Sequence, residues 1–559
     1  VLAPLLIAAL AQVGIADELT PAFPDTAFAD AVPRAVEGPV RSSTTQTARG
    51  MRTAIQVFVQ APDGEVVSLG VRSTDARLAS PAVSISRLHA VPVEENTGIV
   101  SRTELFDGES NPHVIRRAPF LVFDPIEPLV LTAGKNTVQA TAVAEQGGVA
   151  FLLSWIPEQA GDQQVLVHAQ TSGHAEEFHW HVKVHDFELP PRKDWGFAYT
   201  NWFSPDQIAS RHNLELWSPA FWVMLRRYAD LMAHGGQDTF WLRWQDFFTQ
   251  GRGGRWNLDH DRLERYVHTF LDAGFDWIEG APIAHRPEGD WSKDWLELRF
   301  GKLPATGKEG LEALRQVASQ MRSAFRTNDW SRQWVQHIAD EPTDVNAADY
   351  RKLADQLRKQ LPGVPIVEAT MTRELAGAID IWCPQVHKYQ ANRGFFLERQ
   401  AAGDQIWTYT CLVPGGPWLN RLLDQERLRQ VYLGWAGAHF GTQGFLHWGL
   451  NHYKADPFEQ SVVDHPAQPN TKNKLPAGDT HVIYPGPYGP WSSTRFEAHR
   501  IGLEDLAMLR ALQGVDPERA TKFIETIFRG YDDWETSVAA YRETRDQLLS
   551  AATTTLQTP

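Results

Sequence analysis

SRQWVQHIADEPTD, residues 331–344, is an apolar run containing Trp, Val and Ile that stops at two adjacent carboxylates and a proline. A strand ends there, because Pro342 has no N–H with which to continue a hydrogen-bonded ladder. Asp340 and Glu341 then sit at the C-terminal tip of the strand, the end at which a barrel of parallel strands carries its chemistry. Seven more runs of the same character flank it: GFAYTNWF (196–203), DTFWLRWQDFF (238–248), FDWIEGAP (275–282), PIVEAT (365–370), IDIWCPQVH (379–387), DQIWTYTCLVP (404–414) and GFLHWGLN (444–451). Amphipathic segments alternate with them. SPAFWVMLRRYADLMAHG has Ser218 and Pro219 as cap and first turn and Gly235 as stop, and DHDRLERYVHTFLDAG ends at Gly274. Eight strands with seven intervening helices predict a (β/α)8 TIM barrel over residues 191–460, with strand 331–344 as its fourth.

Upstream, residues 51–190 alternate short β-branched runs with turn signals (AIQVFVQ, VVSLGV, PFLVFDP, TVQATAV, GGVAFLLSWIP, QQVLVHAQ, FHWHVKVHDFELP) and predict an antiparallel β-sandwich. Residues 17–50, rich in Pro, Ala, Ser and Thr without a sustained period, read as a linker. Residues 1–16, VLAPLLIAALAQVGIA, read as the remnant of a signal peptide cleaved after Ala16, too short to span a membrane. Export to the periplasm or the medium is therefore expected. Residues 461–559 are read as an extension of strand and helices packing on the barrel, with a Tyr- and Pro-rich loop (484–491) directed to its rim and Ser492 or Ser493 capping a helix that starts near Thr494.

The 559 residues carry 53 Lys and Arg against 68 Asp and Glu, a net charge of −15 with no run of like charge, which argues against nucleic acid and anionic membranes as partners. Cys383 and Cys411 are the only cysteines and lack metal-ligand spacing, so neither a metal nor another cofactor is expected; an exported chain would permit a bridge between them. His179 and His181 share one strand face, but without a carboxylate or Cys at ligand spacing they read as a solvated face.

At the predicted strand ends stand Asn201, Trp202, Trp244, Asp246, Glu279, Asp340, Glu341, His387, Tyr389, Tyr409, His447, Trp448 and Asn451. Indoles for apolar ring faces, amides and carboxylates for hydroxyls, and an acid for a leaving oxygen are what a carbohydrate site needs. The sequence has 21 Trp against 12 Tyr, an excess that suits such a site. Strand side chains alternate, so about half of these residues are expected to be structural; Trp334 and Trp382 are assigned to the core. Alternation also sends Asp340 and Glu341 to opposite faces unless the strand has ended or twisted at Glu341. A tandem pair suits a reaction in which the sugar's own 2-acetamido oxygen is the nucleophile, Glu341 protonates the leaving group and Asp340 polarises the acetamido N–H.

The segment GDTHVIYPGPYGPWSSTRFEAHRIGLEDLAMLRAL (478–512) resembles the Gly-Asp, Tyr-Pro-Gly, Ser-x-Arg, Glu-x-x-Arg-x-Gly-x-Glu-Asp signature of the glycoside hydrolase domain known as domain of unknown function 4091, related to glycoside hydrolase family 123. GFLHWGLN, the WTYT run and IDIWCP are similar to the late barrel strands of that family, VHDFELP (184–190) to its junction before the barrel, and FDPIEPL (123–129) to a loop of its N-terminal domain. The resemblance spans about residues 120 to 515. It implies a β-N-acetylgalactosaminidase in which Asp340 is the orienter and Glu341 the acid/base. The chain departs from the pattern at GDQQV (161–165), where a Gly-x-Tyr turn is usual, and in the Trp-rich segment 285–300. Three readings remain open: an exported, retaining, exo-acting β-N-acetylhexosaminidase; a hydrolase of a non-acetylated sugar, with Glu341 as acid and Glu279 or Asp246 as nucleophile or base; and a glycan-binding protein without catalysis.

Overall fold

The computed structural model describes residues 13–28, 42–73, 82–134 and 136–556. Two sheets form the N-terminal part. One runs Val13–Asp17, Thr53–Gln60, Gly148–Trp155, Val83–Val93, Phe120–Pro128, Gly489–Ser493, Tyr484–Gly486; the other runs Ser42–Ala48, Ala175–His185, Gly161–Gln170, Val66–Ser73, Thr137–Val143, Thr132–Ala133. All pairings are antiparallel except that of Ser42–Ala48 with Ala175–His185. Period-two patterning builds their core, as in Thr137–Val143, where buried and exposed residues alternate. Val67, Leu69, Val167 and Trp180 of one sheet and Val57, Phe151, Leu153 and Trp155 of the other belong to one apolar cluster.

Two expectations for the N-terminus change. Residues 1–12 lie outside the described residues, but Val13–Asp17 is a strand paired with Thr53–Gln60, so cleavage after Ala16 would cut a paired strand. Asp17 is held there by Arg542 at 2.8 Å, and Glu18 by Arg52 at 2.7 Å. Of the linker assigned to 17–50, residues 29–41 lie outside the described residues; the rest contains the short helix Pro24–Ala27 and the strand Ser42–Ala48. That strand is an edge with mostly half-exposed polar residues, so it shows no hydrophobic period.

The eight barrel strands, labelled β1 to β8 in chain order, are Ala198–Asn201, Thr239–Leu242, Trp277–Gly280, Trp334–Gln336, Val367–Ala369, Ile381–Cys383, Gln405–Thr410 and Gly444–His447. They are parallel in the order β4-β3-β2-β1-β8-β7-β6-β5, and a bridge between Gln336 and Ile366 joins β4 to β5. Val335, Val367, Ala369, Ile381, Cys383, Trp407, Tyr409 and Leu446 fill the interior. The helices Pro219–His234 and His260–Leu271 begin at Ser218 and Asp259, whose side chains accept from Phe221 N and Arg262 N. Six of the seven crossovers contain α-helix, against seven expected: residues 370–380 hold only the 3-10 turn Arg373–Leu375, because a parallel crossover containing a helix needs about a dozen residues or more. Trp334 packs on Phe325 and Trp382 on Phe395, both in the layer between strands and helices. Among the described residues no helix is long and apolar enough to cross a membrane.

The C-terminal extension joins the two parts. Helix Thr494–Val515 lies on Leu428–Phe440 so closely that a Cβ at Gly434 would come within 2.0 Å of the Gly502 carbonyl oxygen. The Tyr- and Pro-rich hairpin does not reach the rim as expected. It extends the N-terminal sheet, with Ser492 opposite Ile126, and the Tyr488 carbonyl accepts from Arg227 on an outer helix. At this junction Asp124 is fully buried against Arg495 at 3.0 Å, with Tyr484 Oη and Thr494 Oγ1 each donating at 2.8 Å. Burial opposes the Asp124 charge, but Arg495 and Arg427 outweigh it and hold its carboxyl below the usual range. Removing one partner leaves a buried charge uncompensated, so Asp124→Asn is predicted to lower unfolding free energy by roughly 3–5 kcal/mol in urea titrations; a loss under about 1 kcal/mol would show that the junction does not hold the parts together.

Candidate active site

The β4 ladder stops at Gln336, and five residues later Glu341 has φ +47°, the left-handed region that a non-glycine residue rarely occupies. The turn at Glu341 breaks the alternation that would have sent neighbouring carboxylates to opposite faces. Glu341 Oε1 accepts a hydrogen bond from Tyr409 Oη, on β7 across the barrel. Asp340 acts electrostatically on Cys383 of β6 and on Tyr409 and Cys411 at the end of β7, all members of the interior cluster. Burial, then Glu341 and Glu368, push Asp340 up to about 7, against His337 and Arg299. Arg286 fixes the backbone of the pair, donating from Nη1 to the carbonyls of Asp340 at 3.0 Å and Glu341 at 2.7 Å.

Beneath the pair lies a fully buried ionic group. His337 Nε2 meets Glu279 Oε1 at 2.7 Å and its Nδ1 meets Glu368 Oε1 at 3.0 Å. Burial disfavours the imidazolium, but the carboxylates of Glu368 and Glu279 outweigh it and push His337 up to about 10, so both ring nitrogens donate. Glu279 also accepts from Thr200 Oγ1 and from Trp202 Nε1 at 2.9 Å. Glu279, expected to contact substrate, is therefore a buried support under the mouth.

Two half-buried indoles, Trp202 and Trp448, lie against the interior cluster together with Leu412 and Val413. Trp202 stacks on Trp241 with ring centroids 4.1 Å apart. Each indole N–H is tied to a buried carboxyl: that of Trp202 to Glu279, and that of Trp448 to Asp479 Oδ1 at 3.2 Å. Burial pushes Asp479 up to about 7. Asp340, Glu341, Tyr409, Trp202 and Trp448 thus share one end of the barrel.

The other expected site residues are placed as follows. Asn201 and His447 are fully buried around Arg421, whose Nη1 donates to Asn201 Oδ1 and whose Nη2 approaches His447 Nδ1 at 2.7 Å. Asn451 is buried and bonds the backbone of Ser204 in both directions, at 2.8 and 3.2 Å. Asp246 pairs with Arg243 at 2.7 Å, and His387 is half-buried near Trp418 in the first turn of Val386–Ala391. Trp244 is buried in the core, and Tyr389 packs among Phe396, Phe440 and Tyr531, because each sits where the chain has already turned away from the mouth into a helical segment. Cys383 and Cys411 are both free and buried. His179 and His181 lie 5.9 Å apart on the six-stranded sheet, and among the described residues no group of three or more His, Cys, Asp or Glu could hold a metal.

His337, Glu368, Arg286, Arg421 and Asp479 were not expected at the site. The available signal was charge inside apolar runs: His337 in QWVQHIADE and Glu368 in PIVEAT interrupt strands otherwise fit for a buried barrel.

Comparison with known proteins bears on this arrangement. The family model for the glycoside hydrolase 123 catalytic domain matches residues 202–512. No curated protein matches the sequence. A family 123 glycoside hydrolase from Clostridium perfringens, studied for glycolipid glycan hydrolysis, superposes with a TM-score of 0.69 at 13% identity, covering 97% of each chain. A GH10 xylanase from Thermobacillus composti superposes over 56% of this chain and 99% of its own with a TM-score of 0.34 at 10% identity. The family match covers more than half of the sequence, including every barrel strand from β2 to β8 and the Asp340–Glu341 pair: the chain belongs to glycoside hydrolase family 123, and is a glycoside hydrolase acting on a carbohydrate substrate.

Proposed function

We propose that this hydrolase is a retaining, exo-acting β-N-acetylhexosaminidase in which the substrate's 2-acetamido oxygen attacks the anomeric carbon. The observation that carries this reading is the left-handed turn at Glu341, which lets two adjacent carboxyl groups serve one mouth. Two carboxyl groups on consecutive residues match an acid and an amide orienter side by side. The choice of N-acetylgalactosaminide follows from the family resemblance described above. Non-acetylated substrates are disfavoured, because Glu279 is fully buried and engaged by Thr200, Trp202 and His337, and Asp246 is held in an ion pair with Arg243 at 2.7 Å.

Asp340 is proposed to keep its proton up to about pH 7, since burial and the neighbouring carboxyls of Glu341 and Glu368 oppose its ionisation. An acetamido N–H donating to Asp340 favours the carboxylate there and moves the proton to Glu341, beside the leaving oxygen. Glu341 protonates that oxygen as the glycosidic bond breaks, and Asp340 stabilises the positive charge of the oxazolinium-like intermediate. Water activated by Glu341 then opens the ring and restores the acid. Trp202 and Trp448 supply apolar faces for the sugar ring.

Export to the periplasm or medium belongs to the same proposal and rests on the apolar run before Val13. The N-terminal sheets are proposed to face one another as a β-sandwich, supported by their shared apolar cluster.

Glu341→Gln is expected to lower kcat/KM on a poor leaving group by about 10²–10⁴-fold, and Asp340→Asn by about 10²-fold or more; near-normal turnover in both would overturn the mechanism. Wild-type activity is expected to fall as pH rises through about 7, where Asp340 loses the proton that the bound acetamido group would pass to Glu341; a profile flat to pH 9 would contradict this. Stability also falls as pH rises: folded Asp340 keeps a proton between about pH 4 and 7 that the unfolded chain releases, so its burial penalty grows through that window and is complete above it. Asp340→Asn is therefore expected to raise Tm at pH 8 and to lose that gain towards pH 4, as read by calorimetry.

A further inference from the structure

We propose that Glu368 is a positioning residue for the reaction: its carboxylate takes the place of a strand partner for the peptide just before Asp340 and thereby turns both reactive carboxyls to the mouth. This rests on the hydrolase mechanism proposed above. The reason lies in where the backbone donors go. After Gln336 the chain leaves the ladder, yet its buried N–H groups still need acceptors. The N–H groups of Ile338 and Ala339 both donate to Glu368 Oε2, at 3.0 and 3.1 Å, Tyr350 Oη donates to the same oxygen at 2.9 Å, and His337 Nδ1 donates to Oε1 at 3.0 Å. One carboxylate thus holds three consecutive residues, and these end where Asp340 begins.

On the β3 side the same residues are held by ordinary backbone bonds, His337 N to Gly280 O and Ala284 N to Ile338 O, both at 2.9 Å. Beyond the pair, Thr370 Oγ1 donates to Pro342 O at 2.9 Å. Glu368 lies within β5 and Thr370 just after its end, so that edge supplies side-chain acceptors and donors in place of a regular ladder. A main-chain carbonyl of a lengthened β5 would have continued the strand and restored alternation, sending one carboxyl outward.

The charge of Glu368 also reaches the pair. Asp340 is faced by Glu341 from its own turn, His337 from just after β4, Glu368 from β5, Arg299 from the segment after β3, Cys383 from β6, and Tyr409 and Cys411 from β7. Of the anions, Glu368 is the one that also carries the backbone clamp. Replacing it with an amide should both loosen the turn and lower the pH at which Asp340 gives up its proton.

The test begins with the wild-type enzyme on a panel of aryl glycosides; absence of turnover there would refute the proposed function, not the clamp. On the substrate that is cleaved, Glu368→Gln is expected to lower kcat by about 10²-fold with KM nearly unchanged, to move the alkaline limb of the kcat/KM profile to lower pH, and to speed hydrogen exchange in the segment 334–345. Tyr350→Phe, which removes one donor and keeps the charge, is expected to lower kcat severalfold while leaving that limb in place. A folded Glu368→Gln enzyme with kcat within twofold of wild type, or with unchanged exchange in 334–345, would overturn the proposal. If Glu368→Gln does not fold, an unchanged kcat in Tyr350→Phe overturns it.

Discussion

The buried triad of Glu279, His337 and Glu368 is the constraint on which the rest of the site depends. Three ionisable groups with no solvent exposure cost several kcal/mol each to desolvate, and they persist only where every lone pair and proton has a partner. Here β3, the residue just after β4, and β5 each supply one member. Glu279 carries the constraint outward to the Trp202 indole and sideways to Thr200 on β1. Glu368 carries it to the peptide preceding Asp340 and Glu341. A group that looks like an electrostatic expense is thus the frame that fixes an indole platform and a left-handed turn relative to each other.

A second chain of buried contacts ties that frame to the rest of the molecule. Asp124 of the N-terminal sheet binds Arg495 of the C-terminal helix, and Arg495 donates to the carbonyl of Arg421 at 2.9 Å. Arg421 in turn reaches Asn201 at the end of β1 and His447 at the end of β8. The loop after β7 is pinned from the N-terminal side as well, where Gly415 N donates to Val100 O at 2.9 Å and Asp424 accepts from Thr97 N at 2.7 Å. The C-terminal extension therefore acts as a clasp: it adds strands to one sheet, packs a helix on the barrel and sends an arginine between the two.

Much of the barrel was legible because fully buried parallel strands read as apolar runs, and the helices between them show caps and stops. All eight strands stand in the expected order, whereas the helix expected between β5 and β6 is absent because residues 370–380 leave no length for it. Ser42–Ala48 was hidden because a polar edge strand has no hydrophobic period, and Val13–Asp17 because a short apolar strand resembles the end of a leader. At the site, adjacency of Asp340 and Glu341 was visible, but the φ of Glu341 was not, since it follows from contacts made by Glu368 and Arg286 from other strands and loops. Trp244 and Tyr389 were placed at the mouth by counting along a strand; the chain had already turned into helical segments that bury them elsewhere.

The most direct test of participation by the substrate's acetamido group is a series of aryl β-N-acylhexosaminides whose acyl methyl carries none, one, two or three fluorine atoms. Each fluorine weakens the carbonyl oxygen as a nucleophile while leaving the glycosidic bond and the leaving group unchanged. With Asp340 and Glu341 acting as orienter and acid on one mouth, log kcat should fall steeply and linearly along the series. A rate that stays level from acetyl to trifluoroacetyl would mean that the acyl oxygen does not attack, and the account of this site would be wrong.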